Sequence, residues 1–137
     1  METTITVQTT VAATVHKVWT YWTMAEHIVN WNFASDDWHC PGAENDLCPG
    51  GKFRATMAAN SGEMSFDFEG IYDEIIPLQK ISYSMSDGRK VSVEFKEIGA
   101  DTQVIETFNP EQMMPVDMQR EGWQAILQNF KSYVEKN

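Results

Sequence analysis

The sequence predicts an α+β fold in which a curved antiparallel sheet grips one long C-terminal helix. Two observations predict it. Five strand-like runs at residues 52–59, 63–76, 80–85, 90–98 and 102–109 follow one another, with turn residues between them instead of helices. In the last stretch, residues 115–137, the side chains of Met118, Gly122, Ile126, Phe130 and Val134 share a face at helical spacing, flanked by Trp123, Leu127 and Tyr133. A lone helix of this length is marginal in water, and the strands are the surface it can cover. At 137 residues there is room for one domain, 1–137, around one core.

From the N-terminus, residues 3–11 alternate polar and apolar and are rich in β-branched side chains, which reads as a first strand. The period then changes, with Val15, Val18, Trp19 and Trp22 on one helical face. Thr23-Met24-Ala25-Glu26 has the pattern of a capping box and opens a second short helix over 24–30. Residues 31–51 read as an irregular loop. They hold Trp31, Phe33 and Trp38 but are interrupted by Pro41, Gly42, Pro49, Gly50 and Gly51, so the loop is expected to fold back over the mouth of the core.

In the strand-like runs, alternation puts Phe53, Ala55 and Met57 on one side, then Met64, Phe66 and Phe68, then Ile81, Tyr83 and Met85, then Val91, Val93 and Phe95. The opposite faces carry Arg54, Asp67, Glu69, Lys80, Glu94 and Lys96. Asp87-Gly88 between two such runs is a strong hairpin signal. Gly70, inside the longest run, is expected to mark a bulge or a sharp bend. The last run is open to two readings. If Val104 and Phe108 point inward so does Glu106, and if Gln103, Ile105 and Thr107 do, Glu106 faces water. A carboxyl in an apolar interior is costly unless paired or protonated, so an inward Glu106 would be a functional clue.

Asp and Glu number 20 against 10 Lys and Arg, a formal charge of −10, and the basic residues are scattered. Such a surface has no footprint for nucleic acid or an anionic membrane, so neither is an expected partner. The sequence shows no membrane-spanning stretch and no signal-peptide pattern, and two cysteines, Cys40 and Cys48, do not make a disulfide scaffold. The expected location is the cytoplasm.

No nucleophile elbow, zinc helix, phosphate loop or dinucleotide fingerprint occurs. Cys40 and Cys48, with His27 and His39 near them, lack the close spacing of a structural zinc site, so no metal and no cofactor are expected. The catalytic candidates are few: Glu106, His39 and Tyr83, with His39 pairing Glu106 or Asp46 as acid and base. Gly122 in mid-helix costs roughly 1 kcal/mol relative to Ala. Either the helix presses on the sheet there, or the missing side chain leaves volume for a guest. Candidate walls of such a cavity are Trp19, Trp38, His39, Phe53, Met57, Phe66, Phe68, Tyr83, Met85, Val93, Met118, Gly122 and Ile126, a mostly apolar set that suits a small hydrophobic or aromatic ligand. Glu111, Gln112, Met113 and Met114 form either a loop at its entrance or an ordinary connector.

The order of strand, two short helices, meander and long helix resembles the helix-grip fold of the START and pollen-allergen superfamily, also called SRPBCC. More specifically, Val18-Trp19-Thr20-Tyr21-Trp22-Thr23, Trp31-Asn32, Ser35-Asp36-Asp37-Trp38-His39, Asp46-Leu47-Cys48-Pro49-Gly50-Gly51-Lys52-Phe53, Phe66-Asp67-Phe68-Glu69-Gly70-Ile71-Tyr72, Asp87-Gly88-Arg89 and Gly122-Trp123-Gln124-Ala125-Ile126-Leu127 are similar to a bacterial family. That family is named after the C-terminal domain of the activator of heat-shock-protein-ninety ATPase, and the resemblance runs from Ile5 to Tyr133. It implies six or seven antiparallel strands wrapped around the last helix, with a cavity between them that in relatives takes lipids, sterols, hormones or polyketides. The leading expectation is therefore non-covalent binding of a small hydrophobic or aromatic molecule. The alternatives are a chaperone ATPase activator-like interaction module, with a heat-shock chaperone as partner, and third, a cyclase- or hydrolase-type enzyme.

Overall fold

The computed structural model describes residues 4–33, 35–112 and 114–137. Among them β1 (Ile5–Val11) leads to α1 (Val15–Thr23) and α2 (Ala25–Ile28). The meander follows as β2 (Trp38–Asn45), β3 (Lys52–Ala59), β4 (Ser65–Ile76), β5 (Lys80–Met85), β6 (Lys90–Ile98) and β7 (Asp101–Phe108), and α3 (Val116–Lys136) ends the chain. The described strands make one antiparallel sheet in the order β1-β7-β6-β5-β4-β3-β2. Six consecutive strands thus run as a meander, and β1 reaches the far edge because α1 and α2 carry the chain from one edge to the other. This is the helix-grip arrangement that the resemblance implied.

The turn chemistry follows the sequence at the β5–β6 hairpin, where Gly88 takes a φ of 92° and the Arg89 N–H donates to the Asp87 carboxylate. Elsewhere tertiary structure overrides local pattern. Residues 31–51 are not loop throughout. β2 pairs with β3 as an edge strand, and Pro41 is accommodated by a register shift between His39 and Gly42. Gly70 is not a bulge, because the irregularity on β4 falls between Tyr72 and Glu74. Gly70 is instead a point of close approach, where an added Cβ would lie 2.9 Å from the Phe53 ring and 2.8 Å from the Ser84 carbonyl. Thr23 does not cap α2 either. It ends α1 with its hydroxyl donating back to the Trp19 carbonyl, and Met24 takes the N-cap position. Thr3, expected to open the first strand, and Met113 of the connector lie outside the described residues.

The apolar face of α3 is rotated from the expected one in its N-terminal half. Gln119, Leu127, Phe130 and Val134 are buried, whereas Met118 is 56% exposed. Two local partners explain the rotation. Trp123 stacks flat on Phe108 at 3.8 Å, bringing the largest side chain of the segment inward. Gln119 is buried because its amide satisfies loop backbone, accepting from the Glu111 N–H and donating to the Glu111 and Met114 carbonyls. Further along, α3 covers the free edge of β1. Gln124 and Lys131 donate to the Gln8 and Thr10 carbonyls, and Glu135 accepts from the Ala12 N–H. Val7, Val11, Val104, Leu127, Phe130 and Val134 belong to the buried core, and Phe108 joins it beneath Trp123.

Candidate functional site

The backbone of α3 runs close to β1 and α1. Toward β3, β4 and β5 the gap is spanned by side chains, as where Trp123 meets Phe68 edge-on at 5.7 Å. The gap is incompletely filled and leaves a cavity of about 180 Å³. Phe53, Ala55 and Met57 of β3 and Phe66, Phe68 and Tyr72 of β4 form one wall. Ile81 and Tyr83 of β5 and Glu106 of β7 lie beneath, and Trp123 and Ile126 of α3 lie above. Trp22, Ile28, Trp31 and Asn32 close the α1–α2 side, and Glu44 and Arg54 border the cavity near the sheet edge.

The wall is held by contacts among its own rings. Phe53 meets Tyr83 edge-on at 4.4 Å and tilts against Tyr72 at 5.3 Å, and the bare backbone of Gly70 makes room for it. Trp22 and Trp31 lie 4.8 Å apart, each edge-on to Phe130, and the Trp31 indole N–H donates to the Tyr21 carbonyl at 3.0 Å. The Tyr72 hydroxyl donates to Asn45, whose amide donates to the Thr23 carbonyl, so one short chain of bonds pins β2 to the end of α1. The walls are therefore fixed by packing and hydrogen bonds outside the void, as a preformed site requires.

Glu106 settles the open orientation of β7: it points inward and is 5% exposed. Its neighbours in register are Val7 and Val93, both apolar. Among the described residues its carboxylate joins no ion pair. Burial alone pushes its pKa up to about 8. Burial also holds the Tyr83 hydroxyl well above its usual range, with the Glu106 charge and Tyr72 adding to the effect. At neutral pH the base of the cavity thus offers a largely protonated carboxyl and a neutral phenol, with Asn32, Tyr72 and the Glu44–Arg54 pair as the other polar groups of its lining.

Of the residues singled out by sequence, Phe53, Met57, Phe66, Phe68, Tyr83, Glu106 and Ile126 border this cavity. The others lie elsewhere. Trp19 packs edge-on against Phe95 at 5.3 Å, and Val93 is wholly buried in the core. Trp38 sits on the edge strand against Phe66, just outside the walls. Met85 borders a separate groove with Gly70 and Ser84. Met118 is turned to solvent, and Gly122 faces open space, since an added Cβ would meet nothing within 4 Å, so close packing is not what selects a glycine there. His39 is exposed and hydrogen-bonds Asn60 at 2.7 Å, so it pairs with neither Glu106 nor Asp46. Met64 is 63% exposed beyond the start of β4, and Phe66, although on the inner face, is 49% exposed at the open end. Among the described residues no group of three or more His, Cys, Asp and Glu side chains could hold a metal ion.

Sequence reasoning missed Trp22, Ile28, Trp31, Asn32, Tyr72 and Trp123 as walls. Tyr72 was readable, since it shares the parity of Phe66, Phe68 and Gly70. The sequence marks Trp31 only as part of an aromatic loop folding back over the mouth of the core, and the folding of α2 onto β2 is what brings its ring to the cavity.

A family model described as activator of Hsp90 ATPase homolog 1-like protein matches residues 12–135. The chain belongs to this AHSA1-like family. The solution structure of the AHSA1-like protein from Aeromonas hydrophila is 39% identical and superposes with a TM-score of 0.92 over 98% of this chain and 93% of that one. A solution structure from Cytophaga hutchinsonii is 50% identical, with a TM-score of 0.83 over 97% of this chain and 92% of its own. A protein from Nitrosomonas europaea, 16% identical, still reaches 0.84 over 97% of this chain and 94% of its own, a likeness of fold. No curated protein matches the chain. AHSA1-like membership fits a ligand-binding or activator-like module. No helix among the described residues is long and apolar enough to cross a membrane.

Proposed function

We propose that this AHSA1-like protein binds a small hydrophobic or aromatic molecule, non-covalently, in the cavity between α3 and strands β3 to β5. The observation that carries the reading is an aromatic-walled void of about 180 Å³ with one carboxyl and one phenol at its base. A dry apolar cavity of about 150 Å³ suffices for benzene, so the volume suits a single ring with a short substituent. Affinity would come from apolar surface removed from water, at about 25 cal/mol per Å², with the polar pair fixing orientation. Both cysteines are free thiols, which with the acidic surface suits the reducing cytoplasm, where we place the protein.

Thermal unfolding with and without saturating p-cresol tests this. A ligand that binds the native state alone raises the apparent stability by the logarithm of its saturation. The wild type should melt several degrees higher with p-cresol. Ala55→Phe, which fills the void from a buried wall position, should abolish that rise while remaining folded. A rise that survives Ala55→Phe would move binding elsewhere. No rise with p-cresol or comparable single-ring compounds would remove the reading. A second reading, docking on a heat-shock chaperone, has the family description and the exposed apolar Met64 and Phe66 behind it. It predicts no rise with ligand and loss of a co-purifying chaperone on Phe66→Ser. An enzymatic reading keeps Glu106 and Tyr83 at the cavity but is weakened by the placement of His39.

A further inference from the structure

The base of the cavity carries a chemical preference that its apolar walls do not. Glu106 lies on β7 between Val7 and Val93, and among the described residues no cation pairs with it. Tyr83 on β5 and Tyr72 on β4 are the titratable groups that share its enclosure, and the Tyr72 hydroxyl is already engaged by Asn45. α3 presents only Trp123 and Ile126, and the α1–α2 side presents no charged group. The remaining charged neighbours are Glu44 and Arg54 at the border, paired to each other at 2.8 Å through Arg54 Nη2, while Arg54 Nε is buried without a partner among the described residues. A carboxyl nine-tenths buried and without a partner, in a cavity lined mainly by aromatic side chains, is a receptor for positive charge. Ring faces carry negative potential that attracts cations and opposes anions.

We propose that the cavity selects single-ring arylalkylamines, with the ammonium on the Glu106 carboxylate and the ring among Phe53, Tyr83 and Trp123. This rests on reading the cavity as a binding site and names the ligand class it prefers. No covalent step is involved. An ammonium enters from solvent, Glu106 releases its carboxyl proton to solvent, and the pair that remains is neutral overall. A carboxylate ligand is opposed by the ring quadrupoles and, as Glu106 ionises toward pH 8, by a like charge, and a neutral one would gain a hydrogen bond but no ion pair. Because Glu106 must lose its proton, amine binding strengthens as pH rises toward about 8, the value to which burial raises this carboxyl.

Calorimetric titration of the wild type and Glu106→Gln with benzylamine, benzyl alcohol, benzoate and toluene, at pH 6, 7 and 8, separates the possibilities. The wild type should bind benzylamine at least about tenfold more tightly than toluene at pH 8, with benzoate weakest, and the benzylamine affinity should rise severalfold per pH unit. In Glu106→Gln the benzylamine-to-toluene ratio should fall by about tenfold or more and lose its pH dependence. Toluene or benzyl alcohol binding with no benzylamine preference, or a preference that persists in Glu106→Gln, would overturn the amine assignment and leave the cavity reading standing. No binding of any of the four would overturn both.

Discussion

The two halves of the layer between helix and sheet are built differently. Under the C-terminal half of α3, Leu127, Phe130 and Val134 are fully buried against β1, α1 and the adjoining strands, and side chains of the helix satisfy the free backbone edge of β1. Under the N-terminal half, the strands diverge from the helix, rings span the gap edge-on, and a void remains with Glu106 at its base. One half holds the fold together and the other is shaped around space. The contrast explains how an acidic group in the interior is tolerated. The filled half supplies the stability against which the open half, with its buried carboxyl and incomplete packing, is a local cost.

Truncation of matched rings is the largest way to break the contrast. Phe130→Ala removes a fully buried ring that Trp22 and Trp31 meet edge-on at 4.8 and 4.9 Å, and should cost about 3–5 kcal/mol in urea unfolding. Phe68→Ala removes a half-buried ring that already faces the void, so fewer contacts are lost, and it should cost about 1–2 kcal/mol. Equal costs at unchanged urea dependence would mean that the open half is as tightly packed as the other.

Glu106→Gln sharpens the comparison electrostatically. The folded protein binds this proton more tightly than the unfolded chain, since burial moves the carboxyl from 4.5 up to about 8. Stability from the protonated form is therefore complete below the unfolded value and is lost as pH rises through the window between the two, which amounts to about 3 kcal/mol by pH 7. Asp87 and Glu135, whose pKa values are lowered by hydrogen bonds from Arg89 and Lys131, act with the opposite sign, losing stability as pH falls. They are common to both proteins and cancel in the difference. Unfolding of the variant, followed by circular dichroism from pH 5 to 8, should be flatter with pH than the wild type and should exceed it at pH 8. Parallel curves would show that the carboxyl is better solvated than its burial implies.

The contrast also marks what was legible in the sequence. The meander, the inward parities of β3, β5 and β6 and the long helix were readable because alternation and helical spacing are local properties of the chain. The edge strand β2 was hidden by Pro41 and Gly42, which a central strand would exclude but an edge with a register shift accepts. The rotation of α3 was hidden because Gln119 looks like a surface residue until the backbone of Glu111 and Met114 is placed beside it. Parity alone left Glu106 undecided, and only pairing β7 with β1 and β6 turned it inward. Cavity walls drawn from one strand were recoverable residue by residue, whereas Trp31, which depends on α2 folding across β2, was legible only as part of an aromatic loop over the mouth of the core.

The smallest effect tests the boundary between the halves. Gly122 sits on α3 where an added methyl would meet nothing within 4 Å, and it is not a wall of the cavity. In a tightly packed helix a glycine would be explained by contact, and its replacement would be destabilising. Here Gly122→Ala gains helix propensity and reduces the freedom of the unfolded chain with no steric opposition, so it should stabilise by about 0.5–1 kcal/mol. The same substitution at Gly70, whose Cβ would press on Phe53 and on the Ser84 carbonyl, should destabilise. Both are measurable as shifts in urea midpoint. Destabilisation by Gly122→Ala would mean that α3 meets a neighbour at that position in solution and that its helix face there is not open.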